Sequence, residues 1–297
     1  MTTLQNKIDF AVVLRVKRAN PNGDPLNGNR PRTDYENYGE MTDVCIKRKI
    51  RDRLLERWVA GGKKEDDGNM IFVQSDDRKA DEHKSLRARA ETILGNKFGS
   101  SETETRKQAC EKWFDVRAFG QLFALKSKQK AKKDEEKEGE GDTASVSIGI
   151  RGPVTVQSAF SVAQVDVTSN QITKSVNAED TKDGKRSSDT MGMKHRVDNA
   201  VYVFFGSMNP QLAERTGLSD IDALAIKEVL PKLFENDESS ARPAGSMEIL
   251  KVIWWKHNCK AGQYSSAKVH ASLKIKPDGT YSLNNLGGLK PEEIDGF

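Results

Sequence analysis

The chain has 297 residues, with 48 Lys and Arg against 44 Asp and Glu, for a formal net charge of +4. Only 36% of the residues are hydrophobic and mean hydropathy is −0.69, so the core is lean for the length and no run reaches the about 18 apolar residues of a membrane helix. Cys45, Cys110 and Cys259 are odd in number and far apart, which excludes a disulfide framework and a paired zinc-ligand spacing.

The length suits one large domain with insertions or two smaller domains. The start, MTTLQNKIDF, carries no apolar signal core; the expectation is a cytoplasmic protein without a membrane contact.

Residues 8–18, IDFAVVLRVKR, predict a strand with Phe10, Val12, Leu14 and Val16 on one face and Val13, Arg15 and Lys17 on the other. The Asn/Gly/Pro-dense stretch 20–32, NPNGDPLNGNRPR, breaks it. Thr42 or Asp43 caps a predicted helix over about 43–59, with Ile46, Ile50, Leu54 and Trp58 as one apolar stripe and Gly61-Gly62 as its end. Met70–Val73 reads as a short strand, and 79–95 and 104–125 as helices of an insertion. A charged run, KSKQKAKKDEEKEGEGD (126–142), reads as a solvated linker. Strand patterns follow at 145–150 and 153–167, and 168–200 reads as polar loop. Strands at 201–206, 248–256 and 268–276 and a helix over 219–234 complete the chain. This order predicts an α+β fold, a sheet against helices, with a ferredoxin-like or RRM-like core.

Four constellations stand out. In the first, Asn20–Arg32, Gly23 and Gly28 allow close backbone approach, Asn22, Asn27 and Asn29 add amide donors, and Arg30 and Arg32 suit phosphate. An ordinary β-turn connection fits this composition equally well. The second is the helix CIKRKIRDRL, where Lys47, Arg48, Lys49, Arg51 and Arg53 flank the apolar stripe. A charged solvent face is the common explanation, but a basic helix next to a basic loop favours a phosphate-tracking surface. The third is RGPVTVQSAFS (151–161), where Arg151, Gln157, Ser158 and Phe160 suit single-stranded RNA; a plain edge strand with Phe160 in the core suits the pattern as well. The fourth is 168–200, with Lys174, Lys182, Lys185, Arg186, Lys194, His195 and Arg196 around Met191 and Met193, where a mobile loop is the simpler explanation. The case for catalysis is poor: there is no HExxH and no nucleophile elbow, and His257 with Cys259 is too few ligands for a metal, while Ser/His/Asp or Cys/His groups that meet only in space stay open.

The stretch NPNGDPLNGNRPRTDYENYGEMTDVCIKRKIRDRL (20–54), together with RGPVTVQSAFS, resembles the Cas-seven family of CRISPR proteins of the RAMP superfamily, specifically the type I-C backbone subunit. The resemblance implies a single domain over 1–297: a modified RRM palm with a finger inserted at about 75–143 and a thumb at about 168–200. It implies a subunit without turnover or cofactor that stacks head-to-tail along crRNA and exposes guide bases to target DNA, as a helical filament in antiviral DNA interference. Its other partners would be the RNA-processing or cap subunit and the large subunit of a Cascade complex. Guide phosphates would be met by Asn22, Gly23, Asn27, Asn29, Arg30 and Arg32 of the loop and by Lys47, Lys49 and Arg51 of the helix. Arg151, Gln157 and Ser158 would line the palm, and Met191 would be a wedge in the thumb. Two competing functions remain: a CRISPR RNA-processing endoribonuclease using Asp24 and Asp34, and a filament protein that binds no nucleic acid.

Overall fold

A computed structural model describes residues 2–64, 67–95, 98–99, 101–125, 146–174 and 190–297. The first strand, β1 (Ile8–Ala19), leads into a small hairpin of β2 (Gly23–Asp24) and β3 (Arg30–Pro31), then β4 (Tyr38–Met41) and the helix α1 (Asp43–Ala60). Helices α2 (Leu86–Leu94), α3 (Glu102–Lys112) and α4 (Phe114–Phe119) precede strands β5 (Gly120–Leu125), β6 (Val146–Arg151), β7 (Val154–Val156), β8 (Ala159–Gln164), β9 (Val167–Lys174) and β10 (Thr190–Met208). The remainder holds α5 (Pro210–Thr216), α6 (Asp220–Val229), β11 (Met247–Lys256), α7 (Ser266–Ala271), β12 (Leu273–Ile275), β13 (Tyr281–Leu283) and β14 (Glu292–Asp295).

The main sheet is antiparallel, in the order β14-β11-β1-β10-β8-β4, with β7 and β9 also paired to β10. Its two central strands are apolar on both sides, as a strand with cover on both faces must be. On the first face Phe10, Val12, Leu14 and Val16 pack with Tyr202, Phe204 and Trp254 against Ile46, Ile50 and Leu54 of α1 and Ile226 of α6. The approach is close enough that a Cβ on Gly206 would lie 2.1 Å from Cζ of Phe10. On the second face Ala11, Val13, Ile253 and Trp255 are covered by Val269, Leu273 and Leu289. Val13 therefore belongs to a second core, which the polar neighbours Arg15 and Lys17 conceal in the sequence.

The helix α1 forms where the stripe predicts, capped by Thr42, whose Oγ1 accepts from Cys45 N at 3.3 Å. Other expectations are corrected. Met70–Val73 is not a strand: only Met70 bridges, to Trp113. The carboxylate of Asp115 accepts from the backbone N–H of Phe72 (2.7 Å) and Val73 (3.1 Å), satisfying those donors without a ladder. The single helix expected over 104–125 breaks at Trp113, which is extended (φ −113°, ψ 119°), and at Gly120 (φ 81°), so Leu122 lies in β5. The strand expected over 268–276 begins as α7, because Ser265 caps it through Lys268 N at 3.3 Å. The segment 168–200 is not loop over its described parts. It is a ribbon in which β9 pairs with the outer half of β10 in continuous register from Val167↔Val197 to Lys174↔Thr190. The linker 126–142 lies outside the described residues, as do Lys182, Lys185 and Arg186. No helix among the described residues is long and apolar enough to cross a membrane.

Candidate nucleic-acid interface

The hairpin β2–β3 is built by its own amides. Asn20 is buried and donates Nδ2–H to the carbonyl of Asn29 at 2.7 Å. Asp24 caps the turn Pro25–Asn27 by accepting from Leu26 N at 3.3 Å, and its carboxylate lies 3.3 Å from Arg32. The reversal passes through Gly28 and Asn29, both at φ 59°, a left-handed pair that glycine and asparagine reach at least cost. Asn22 Oδ1 accepts from Thr42 N (3.0 Å) and Thr42 Oγ1 (3.1 Å), so the hairpin is fixed to the cap of α1.

The ribbon is joined to this hairpin. Arg30 Nη1 donates to Ser169 Oγ at 2.9 Å, and His195 Nδ1 lies 2.8 Å from the same oxygen. Beside the joint is a polar cleft of about 260 Å³ lined by Asp24, Asn27, Arg30, Arg32, Asn37 and Glu40, among others. Farther out, Met191 and Met193 share one side of the ribbon with Gln171, whose Nε2 contacts the Met191 sulfur at 2.9 Å. Met191 is 68% exposed. Lys194, on the other side, is exposed and has no carboxylate partner among the described residues, whereas Arg196 is held by Asp198 at 3.0 Å.

The helix cations fare differently, and here the expectation needs correction. Lys49 is only 4% exposed and its ammonium is bound to Asp237, which Arg242 also holds at 3.1 Å. Burial pushes the pKa of Lys49 down, against the pull of Asp237. Arg51 donates Nε–H to Asp115 at 2.9 Å and lies over the Phe119 ring at 5.1 Å. Lys47 pairs with Asp43 at 2.9 Å, Arg48 with Asp77 at 3.1 Å, and buried Arg53 with Glu56 at 2.7 Å. Lys49 and Arg51 are internal ties between α1 and the segments that cover it, whereas Lys47 is partly exposed and Arg48 half-exposed.

Arg151 is exposed at the end of β6, opposite Gly120. Gln157 exposes its side chain while its N–H donates to Phe205 O at 2.8 Å. Ser158 Oγ accepts from Asp43 N at 3.3 Å, which places it at the start of α1 near the hairpin. Phe160 is 43% exposed and not a core residue. The fold thus gathers Asn22, Gly23, Asn27, Asn29, Arg30 and Arg32 with Ser158, and adds Ser169 and His195, whose meeting depends on the register of the ribbon. Asp24 and Asp34 are both turn formers: Asp34 accepts from Glu36 N (2.9 Å) and Tyr38 N (2.8 Å). Among the described residues no three or more His, Cys, Asp or Glu side chains gather as a metal site.

A curated relative from Haloferax volcanii, a CRISPR-associated protein Cas7, is 24% identical over 291 residues, covering 96% of this chain and 80% of its own. A solved CRISPR RNA-guided surveillance complex in a pre-nicking state holds a chain 13% identical at a TM-score of 0.47, over 84% of this chain and 78% of that one. A second CRISPR RNA-guided surveillance complex gives 14% identity and a TM-score of 0.45, over 92% and 77%. The family model for CRISPR-associated protein Cas7 matches residues 6–288, nearly the whole chain, and the protein belongs to that family.

Proposed function

We propose that this chain is a non-catalytic backbone subunit of a CRISPR RNA-guided surveillance complex, of the type I-C class. Copies of it polymerise head-to-tail along crRNA, hold its phosphate backbone, and leave guide bases free to pair with target DNA in the cytoplasm. The observation that carries the reading is the family match over residues 6–288. The geometry supports it with a cleft that mixes guanidinium and amide groups beside a projecting ribbon. Such a surface grips a polyanion without selecting its sequence.

In this reading the main sheet with α1 and α6 is an RRM-like palm, the insertion at about 75–143 is the finger, and the ribbon within about 168–200 is the thumb. Phosphate contacts fall to Arg30 and Arg32 with the amides of Asn22, Asn27 and Asn29 and the backbone at Gly23. Lys47, Arg151, Gln157 and Ser158 stand at the margins of the same surface, and Met191 is the wedge. Lys49 and Arg51 are left out because each is already neutralised inside the fold. Purification of the chain with the proteins of its own operon tests the reading. Co-purifying RNA of one defined length is the expected result; a particle free of nucleic acid, or RNA cut in a magnesium-dependent way by this chain alone, would sink it.

A further inference from the structure

The two guanidinium groups of the cleft are oriented by different chemistry. Arg32 faces a carboxylate, Asp24, at 3.3 Å. Arg30 has no carboxylate partner among the described residues, and its Nη1–H donates to Ser169 Oγ at 2.9 Å. A carboxylate aims a guanidinium but offsets its charge. A hydroxyl aims it and leaves the whole charge, and the other N–H groups of the fork, for a phosphate.

The hydroxyl is itself oriented. Ser169 accepts from Arg30 and carries one proton of its own, which needs an acceptor. Among the described residues that acceptor is His195 Nδ1, at 2.8 Å. The chain of donors therefore runs from Arg30 N–H to the Ser169 oxygen, and from Ser169 O–H to a bare His195 Nδ1, with the imidazole proton on Nε2. Both ends of this relay are anchored. Asn20 and Asn22 pin the hairpin from below, through Asn29 O and Thr42. The ribbon is rooted where fully buried Val197 pairs with Val167, and Val167 is also a wall of the cleft. Ser169 and His195 oppose each other two residues out from that root pair, so they share a face of the ribbon. A slip of β9 by one residue would turn Ser169 to the other face and break the relay.

We propose that Ser169 and His195 are positioning residues for the RNA grip: they fix the guanidinium of Arg30 without neutralising it, and so lock the aim of the cleft to the ribbon. An Arg30 ordered in advance need not be ordered when RNA binds. The proposal rests on the RNA-binding reading above and adds two residues that act through Arg30 and touch no phosphate themselves.

Anisotropy titration of the full-length protein with a labelled oligouridine tests it. Ser169→Ala should bind roughly three-fold more weakly, with its log–log salt slope unchanged because no phosphate contact is lost. In an Arg30→Ala background the same substitution should have no further effect. Ser169→Thr, which keeps a hydroxyl, should bind as the wild type does. Histidine-selective nitrogen NMR at about pH 8, above the ordinary imidazole range, should find the Nδ1 of His195 without a proton, and His195→Phe identifies its signal among the four histidines. An equal loss from Ser169→Ala with and without Arg30, or a smaller salt slope, would make Ser169 a direct contact and overturn the positioning role. Equal affinity of Ser169→Ala and wild type, or a proton on Nδ1, would also overturn the relay while leaving the phosphate cleft in place. Wild-type protein that binds no oligouridine fails the RNA-binding reading itself, and the proposal with it.

Discussion

The hairpin β2–β3 and the helix α1 adjoin in sequence and are both basic, yet they present opposite electrostatics. In α1 each cation meets a carboxylate, most of them brought from elsewhere: Asp115 for Arg51, Asp237 for Lys49, Asp77 for Arg48 and Glu228 for Arg57. In the hairpin Arg30 meets no carboxylate among the described residues and donates to the Ser169 hydroxyl, and Arg32 lies 3.3 Å from Asp24 beside an open cleft. The helix lies between a sheet and two covering segments, so the cations it buries there, Lys49 and Arg53 above all, must be neutralised. The hairpin lies at an edge, where charge can remain available. Positive charge counted along a sequence is thus not the charge a ligand meets.

The sharpest break of this comparison is Asp115→Ala. It strands Arg51 and the N–H groups of Phe72 and Val73 together, and should cost about 4 kcal/mol of unfolding free energy by denaturant titration. Lys49→Ala should cost less, about 2 kcal/mol, because Arg242 still holds Asp237. RNA affinity per folded molecule should be unchanged, and a loss of affinity equal to that of a hairpin variant would erase the distinction drawn here. Arg30→Ala should do the reverse. Stability should stay within about 0.5 kcal/mol while affinity falls by roughly ten-fold, and the log–log salt slope should shrink by about 0.7 per lost phosphate contact.

The smallest effect concerns pH. Burial holds the His270 imidazole below its ordinary 6.5, opposed by Asp9 and reinforced by Lys7. The unfolded chain therefore binds more protons as pH drops through 6.5, and stability declines on acidification until the folded group also protonates. His270→Gln should flatten that decline in a pH series of thermal melts, with RNA binding at neutral pH unchanged.

Legibility in the sequence followed periodicity. The strand β1, the helix α1 and the strand β11 carry long apolar patterns and were placed within a residue or two. The ribbon was invisible because beyond its root pair Val167 and Val197, which packs on the first core, its described sides reach no core, so no sustained alternation of apolar and polar residues marks β9 and the outer half of β10. The strand expected at Met70–Val73 failed because a side chain forty residues later, Asp115, satisfies its donors. At the candidate site, the Asn/Gly-rich hairpin was legible from local turn chemistry. The neutralisation of Lys49 by Asp237 was not, since that carboxylate lies far along the chain and only the tertiary fold brings it near.

The strand β10 runs unbroken from Thr190 to Met208, its outer half in the ribbon and its inner half between β1 and β8. The ribbon is accordingly a cantilever whose clamped end is the middle of the domain. A sideways load on its tip meets no hinge at the root and must be borne by the ladder between β10 and β1. An arm mounted in this way resists sideways deflection, because deflecting it would mean unzipping the core that holds it.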